Sequence, residues 1–311
     1  MNAFEQELAA AIGRATGEAF VPQTTRAMHG GDISDAFTLG DGVRAYFVKT
    51  QPAPRPPAGR ASGGVPLAGT AAPLAMFEAE AAGLVDLAAA RAVRVPQVVC
   101  QGVAEGSAYL VLEYLPLDGR GDAALLGRQL AQQHRVRAAQ FGGPHDNWIG
   151  ATPQPNAWMD DWVEFWRERR LGFQLERAAR NGYGGALQRD GETLMARLGE
   201  FFIGYRPQPA LLHGDLWGGN HGFLADGTPV IFDPATYYGD RECDLAMSEL
   251  FGGFAPAFYA AYREAWPLDA GYATRRTLYN LYHILNHANL FGGSYAAQAH
   301  RMSLQLLAEL R

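Results

Sequence analysis

Residues 210–235, "ALLHGDLWGGNHGFLADGTPVIFDPA", stand in a half of the chain otherwise dominated by helical periods. The turn signal "LADGT" separates two short apolar runs, "HGFL" and "PVIF", which predicts a β-hairpin. A hairpin is a strong constraint because closing it brings its two open ends together. One open end carries Asn220 and the other Asp233, while Asp215 stands just before the first strand on the irregular loop "HGDLWGGN". Two carboxylates and an amide oxygen are therefore expected at one spot. Hard oxygen donors of this kind suit Mg²⁺, which keeps several waters and binds through a carboxylate or two plus phosphates.

On either side of residue 115 the sequence pattern differs. The opening "MNAFEQELAAAIGRATG" reads as an amphipathic helix carrying acids throughout, not as a signal peptide. "TTRAMHGGDISDAFTLGDGVRAYFVKT" then reads as three strands separated by "HGGD" and "GDG", and "PQVVCQGV" and "SAYLVLEYLPL" as two more. Between them "LAMFEAEAAGLVDLAAARA" predicts a helix whose buried face holds Met76, Phe77, Leu84 and Leu87. Residues 51–75 are rich in Pro, Gly and Ala and are expected to be a mobile surface loop. After "YLPL" the periods lengthen, in "DAALLGRQLAQQH", "DDWVEFWRERRLGFQLERAAR", "ETLMARLGEFF" and "TLYNLYHILNHANLF". The expectation is an α+β, two-lobed chain: a small, mostly antiparallel sheet with one helix over 1–115, and a mainly helical lobe over 116–311. At 311 residues the chain is long enough for both.

Charge and cysteine usage exclude several classes. A net charge of −6 offers no general attraction for nucleic acid or anionic lipid. No run approaches the roughly 18 apolar residues of a membrane span. With only Cys100 and Cys243, a disulfide framework is not expected, both thiols read as buried, and a reducing cytoplasm is the default compartment.

The spacing of the hairpin block points to phosphoryl transfer. Asp215 and Asn220 are five positions apart, as in the kinase catalytic loop H-R-D-L-x-x-x-N. Asp233, at a strand end, stands where a D-F-G aspartate would. In that scheme the loop aspartate accepts the substrate hydroxyl proton, while the asparagine and second aspartate hold metal on the nucleotide phosphates. No G-x-x-x-x-G-K-[ST] occurs, so a P-loop NTPase is excluded at the level of motif.

Of the 26 basic residues, all but Lys49 are arginine. Strand alternation along "VRAYFVK" puts Val43, Ala45, Phe47 and Lys49 on one face, with Lys49 at its end. A compact ammonium on a slim stem reaches phosphates where a planar guanidinium is a poor substitute. Kinases pair this lysine with a glutamate on the following helix; Glu80 is the candidate and Glu78 the alternative. "HGGDIS", residues 29–34, is expected as a glycine-rich turn over phosphates, through backbone N–H groups around Gly30, Gly31, Ile33 and Ser34.

Other residues invite two readings each. His213 is expected to tie down the loop by a hydrogen bond. Trp217 either stacks on substrate or packs under the loop, and Asp244 either caps a helix or braces the loop. The aromatics of "DDWVEFWRERR" read as core. His283 and His287, four apart, read as core histidines more than as a metal pair, since no H-E-x-x-H is present.

The motifs "HGGDIS", "FVK", "MFEAEAAGL", "VPQV", "DNWIGATPQPN", "LLHGDLWGGN", "VIFDPATYYGDRECDLAMSELFGGF" and "YNLYHILNHANLFGGSY" closely resemble the bacterial branch of the fructosamine kinases, or ketosamine-3-kinases. The resemblance covers nearly all of the chain outside residues 51–75. It implies a protein-kinase-like fold and ATP- and Mg²⁺-dependent phosphorylation of ketoamines, small or protein-bound, on the sugar 3-hydroxyl, followed by release of the amine. It further implies Lys49 on phosphates, Glu80 fixing Lys49, Asp215 as base and Asn220 and Asp233 on metal. Glu113, Tyr114 and Leu115 would form the hinge that meets adenine, and Trp217 and His29 would lie near the sugar. Asp32 stands where some eukaryotic members carry a redox-active cysteine, so that regulation is not implied here. Phe47 occupies the place of the small alanine of V-A-I-K, so the roof over adenine must differ. The competing readings are a kinase for an aminoglycoside or choline-like hydroxyl, and a non-catalytic scaffold, which would be expected to lack one of Lys49, Asp215, Asn220 or Asp233.

Overall fold

The computed structural model describes residues 2–28, 34–52, 73–117 and 119–310. His29, Gly30, Gly31 and Ile33 of the expected glycine-rich turn, and residues 53–72 of the Pro- and Gly-rich segment, lie outside the described residues.

The chain opens with α1 (Ala3–Thr16). It starts where Asn2 accepts the Glu5 N–H and the Glu5 carboxylate accepts the Asn2 N–H, and it stops at Gly17, in the left-handed region at φ 75°. Five strands follow: β1 (Thr24–Met28), β2 (Asp35–Gly40) and β3 (Ala45–Pro52), then, after the inserted helix α2 (Pro73–Ala90), β4 (Val98–Ala104) and β5 (Ser107–Glu113). They form one antiparallel sheet in the order β1-β2-β3-β5-β4.

Alternation along these strands separates two cores. Val48 and Val111 join Leu39 beneath Leu8 and Ile12 of α1. Leu110 and Leu112 face the other way, onto Phe77, Leu84 and Leu87 of α2. This second cluster continues through Leu126, Leu130, Leu211, Phe258 and Tyr262, so one apolar mass runs from the sheet into the C-terminal half. Phe47 and Lys49 lie on this side of the sheet. Val43, expected on the same strand face, is instead in the turn before β3 and 95% exposed.

The C-terminal half contains α3 (Ala123–Gln133), β6 (Asn147–Ile149), β7 (Thr152–Gln154), α4 (Trp162–Phe165), α5 (Phe173–Arg180), α6 (Ala186–Ala196), β8 (Ala210–Leu212), β9 (His221–Phe223), β10 (Pro229–Ile231), β11 (Tyr237–Gly239), α7 (Glu242–Leu250), α8 (Pro256–Ala265), α9 (Tyr272–Phe291) and α10 (Tyr295–Glu309). Trp162, Phe165 and Trp166 are buried against Tyr279 and Tyr282 of α9, the core role expected of that aromatic run. Three features depart from the sequence reading. The helix predicted over "DDWVEFWRERRLGFQLERAAR" contains a π-helical stretch at Trp166–Gly172, and "ETLMARLGEFF" breaks into α6 and a 3₁₀ turn at Leu198–Phe202. Beyond the hairpin there are two further strand pairs, β6 with β7 and β8 with β11. Strands of three residues are too short to show a period, which is why the pattern conceals them. Among the described residues no helix is long and apolar enough to cross a membrane.

Candidate active site

β9 and β10 pair antiparallel with Ile231 opposite His221, and the Phe232 N–H donates to the Asn220 carbonyl at 3.1 Å. The hairpin thus brings Asn220 beside Asp233, as its turn signal predicts. Asn220 Nδ2 donates to the Asp215 carbonyl at 2.9 Å, with Asp215 Oδ2 at 3.3 Å and the Asp233 carbonyl at 3.4 Å. Asp233 lies in the left-handed region at φ 57°, a conformation aspartate tolerates better than most residues. That backbone turn swings its carboxylate out of the strand, and Oδ1 comes 2.6 Å from Lys49 Nζ. Glu80 Oε1 holds the same nitrogen at 2.7 Å, while Glu78 is exposed.

A close approach of α2 makes this possible. A Cβ on Gly83, three residues after Glu80, would lie 2.8 Å from Thr236 Oγ1 and 3.4 Å from Pro234. Glycine there seats the helix against the chain just past Asp233. Burial opposes the charge on Lys49, but the two carboxylates outweigh it and hold the ammonium well above the ordinary lysine range.

The loop bearing Asp215 is fixed from below. Gly214 has φ 84°, and a Cβ on it would lie 2.0 Å from the Ala235 carbonyl oxygen. Asp244, in the first turn of α7, accepts the His213 N–H at 2.7 Å and the Gly214 N–H at 2.8 Å, and meets His134 Nε2 at 3.1 Å. It therefore braces the loop. Burial works to raise the Asp244 pKa, but the hydrogen bond and charge of His134, then His213 and the Gly214 N–H, leave it below the usual carboxylate range. His213 Nε2 contacts the Phe232 carbonyl at 2.9 Å, tying loop to hairpin. Burial, and then the charge of Asp233, push Asp215 up to about 7.

These groups open on one cleft of about 940 Å³. Ser34, Lys49, Glu80, Glu113, Tyr114 and Leu115 line it toward the sheet; Asp215, Trp217, Asn220 and Asp233 line it toward the helices. Ser34 Oγ accepts from Gln51 Nε2 at 2.8 Å. The Glu113 N–H donates to the Gln97 carbonyl at 2.8 Å, and its carboxylate is held by Arg94. Trp217 is 37% exposed, with its ring edge-on to Phe251 at 6.2 Å, so it packs on one side and faces the cleft on the other.

The donor set fits a hard divalent cation. Among the described residues Nδ2 of Asn220 makes all the contacts of that amide, which leaves Oδ1 as an open acceptor, and Lys49 engages the Asp233 carboxylate through Oδ1. An amide oxygen and a carboxylate oxygen beside a phosphate-sized space are Mg²⁺ donors. His287 Nδ1 meets the His283 carbonyl at 2.8 Å, which ties the two histidines of α9 together. Burial also pushes His283 down to about 3, in keeping with a neutral core histidine.

A family model for fructosamine kinase matches residues 4–309. A Synechocystis protein assigned as a ketoamine kinase is 45% identical over 306 residues, covering 97% of this chain and 96% of that one. The chain belongs to the fructosamine kinase family. The Arabidopsis thaliana chloroplastic protein-ribulosamine 3-kinase is 46% identical over 230 residues, 72% of this chain and 70% of the relative. Among solved structures, a Haemophilus somnus protein assigned as a fructosamine-3-kinase superposes with a TM-score of 0.84 at 27% identity, over 98% of this chain and all of that one. An aminoglycoside phosphotransferase solved with gentamicin reaches 0.59 at 12% identity, over 100% of this chain and 97% of that one. The last likeness shows the fold alone, and that fold is protein-kinase-like.

Three parts of this family member's site were not foreseen. Arg94, which clamps Glu113, carries no motif. His134 ends an unremarkable helix and gains its role only by lying under Asp244. Phe251, Phe291 and Tyr295 belong to helical periods that look like ordinary core, yet they line the cleft. Cys100, expected buried, is half-buried, and Cys243 is buried; both are free thiols.

Proposed function

We propose that this chain transfers the γ-phosphoryl group of ATP to the 3-hydroxyl of a ketoamine, small or protein-bound, and so begins removal of the sugar from the amine. The family match supports the reaction class, and the names of the ketoamine and ribulosamine kinases it resembles support the substrate class. The observation that carries the reading is the three-way contact of Lys49 with Glu80 and Asp233, set beside Asp215 and Asn220 in one cleft.

In this reading Lys49 neutralises phosphate charge, held in place by Glu80. Asp215 orients the sugar hydroxyl in line and takes its proton. Asn220 Oδ1 and Asp233 hold Mg²⁺, which when bound neutralises charge on the phosphates. Glu113 to Leu115 form the hinge toward adenine, between lobes divided at 115/116, and Ser34 closes the turn over the phosphates. Trp217 lies beside the sugar; His29, expected in the same role, lies outside the described residues. The two free thiols suit a reducing cytoplasm.

Incubation with ATP, Mg²⁺ and a panel of fructosyl, ribulosyl and erythrulosyl amines, beside aminoglycoside and choline acceptors, tests the assignment. Transfer to a ketoamine is expected. Transfer to an aminoglycoside or choline alone would replace it with the rival small-molecule kinase, and no transfer to any acceptor would favour the scaffold.

A further inference from the structure

Beyond Asp215 the cleft wall is a run of aromatic rings that the phosphoryl-transfer groups do not use. Trp217 meets Phe251 at 6.2 Å between centroids, and Phe251 lies 4.9 Å from His287. His287 in turn lies 5.5 Å from Phe291 and 5.1 Å from Tyr295. All five line the same cleft as Asp215. The partner of His287 Nδ1 is a carbonyl, which only accepts, so Nδ1 carries the hydrogen and the ring is pinned at the centre of the run. Phe291 nonetheless keeps 52% of its surface exposed. An aromatic run that leads out of a catalytic cleft and stays partly bare is surface a ligand can cover.

Charge narrows the occupant. Among the described residues lining the cleft, Lys49 is the only lysine or arginine, and it is taken by two carboxylates. The carboxylates there are Glu80, Glu113, Asp215 and Asp233, all in the inner half or at the reacting hydroxyl. A protonated amine in the outer half therefore meets ring faces rather than a counter-ion, an attraction of the cation–π kind. A carboxylate in the same place meets no lysine or arginine among the described residues.

We infer that Phe251, Phe291 and Tyr295, past the sugar-side Trp217, form a subsite for the amine-bearing half of the substrate. It takes a secondary ammonium with an apolar aliphatic or aromatic substituent, and disfavours one with a carboxylate next to the nitrogen. The inference rests on the ketoamine reading and extends it to the part of the substrate that the sugar-directed groups do not touch.

The test compares kcat/KM for three fructosyl amines that share the sugar and differ in the amine: phenethylamine, methylamine and glycine. Wild type is expected to rank them in that order. In Phe291→Ala, and separately in Tyr295→Ala, the phenethyl-to-methyl ratio is expected to fall about 3- to 10-fold, mainly through KM, the range one aromatic contact supplies. Phe291→Tyr should restore the ratio, and Ile203→Ala, at a remote site that is 82% exposed, should leave it alone. An unchanged ratio in both alanine variants, with melting temperatures like wild type, overturns the subsite while leaving the kinase assignment intact. A wild type inactive on all three amines overturns both.

Discussion

In the inner half of the cleft Lys49 Nζ sits 2.7 Å from Glu80 and 2.6 Å from Asp233, whereas in the outer half Phe251 and His287 meet only as rings with centroids 4.9 Å apart. The first kind of contact depends on direction and steeply on distance, because it combines a hydrogen bond with opposite charges, the Lys49–Glu80 pair being largely shielded and Asp233 partly open to the cleft. The second is apolar and tolerates repacking. Each half is supported accordingly. The inner groups hang on a left-handed Asp233, a glycine at 214 that no side chain can replace, and a buried carboxylate beneath the loop. The outer wall hangs on the C-terminal end of α9 and the start of α10, with Phe291 half in solvent. Changes in the inner half should therefore alter turnover for every substrate, and changes in the outer half should re-rank substrates.

The largest effect is expected from Asp215→Asn, which keeps shape and removes the base. Turnover should fall by about 10²–10⁴-fold while nucleotide binding, followed by calorimetry, persists. Near-normal rates would remove Asp215 as the base. Next comes Asp244→Ala, remote from substrate but central to the loop. It leaves the His213 and Gly214 N–H groups and His134 without their buried acceptor, so urea unfolding should show a loss of about 3–5 kcal/mol. A loss within 0.5 kcal/mol would mean the brace is dispensable.

Lys49→Arg should lower kcat/KM by roughly 10²-fold, since a planar fork cannot repeat the geometry of one ammonium between Glu80 and Asp233. Activity close to wild type would show that any cation suffices there. A smaller, pH-dependent effect sharpens the contrast further. The folded-state pKa of Asp244 is depressed, so its ionised form is favoured by folding. That contribution is complete above the ordinary carboxylate pKa and is lost as pH falls through the depressed value. The stability gap between wild type and Asp244→Asn should therefore narrow as pH drops below about 4. A gap that widens on acidification would contradict the sign of the shift.

Much of the inner half was legible beforehand. "LADGT" between apolar runs encodes a hairpin by local turn chemistry, and a hairpin leaves no freedom about which residues meet at its open end. The solitary lysine at the end of a strand face was legible for a similar reason, as strand alternation is local. Sequence favoured Glu80 with Glu78 as the alternative, and the docking of α2, with Gly83 against Thr236, puts Glu80 on Lys49. The strand pairs β6–β7 and β8–β11, the π-helical stretch and the Arg94 clamp gave no signal, since none is written in a period or a turn.

Residue order along the chain settled most of the elements and the chemistry they carry: an opening helix, five strands with one inserted helix, then helices around one hairpin with two acids and an amide at its mouth. Folding in three dimensions settled which helix face meets Lys49, that Asp244 lies under the loop, and that rings from "SELFGGF" and "NLFGGSY" share a wall. Local pattern fixes what neighbours along the backbone do within a few residues. Packing between distant segments depends on the sum of many weak contacts, and no short stretch of sequence contains that sum.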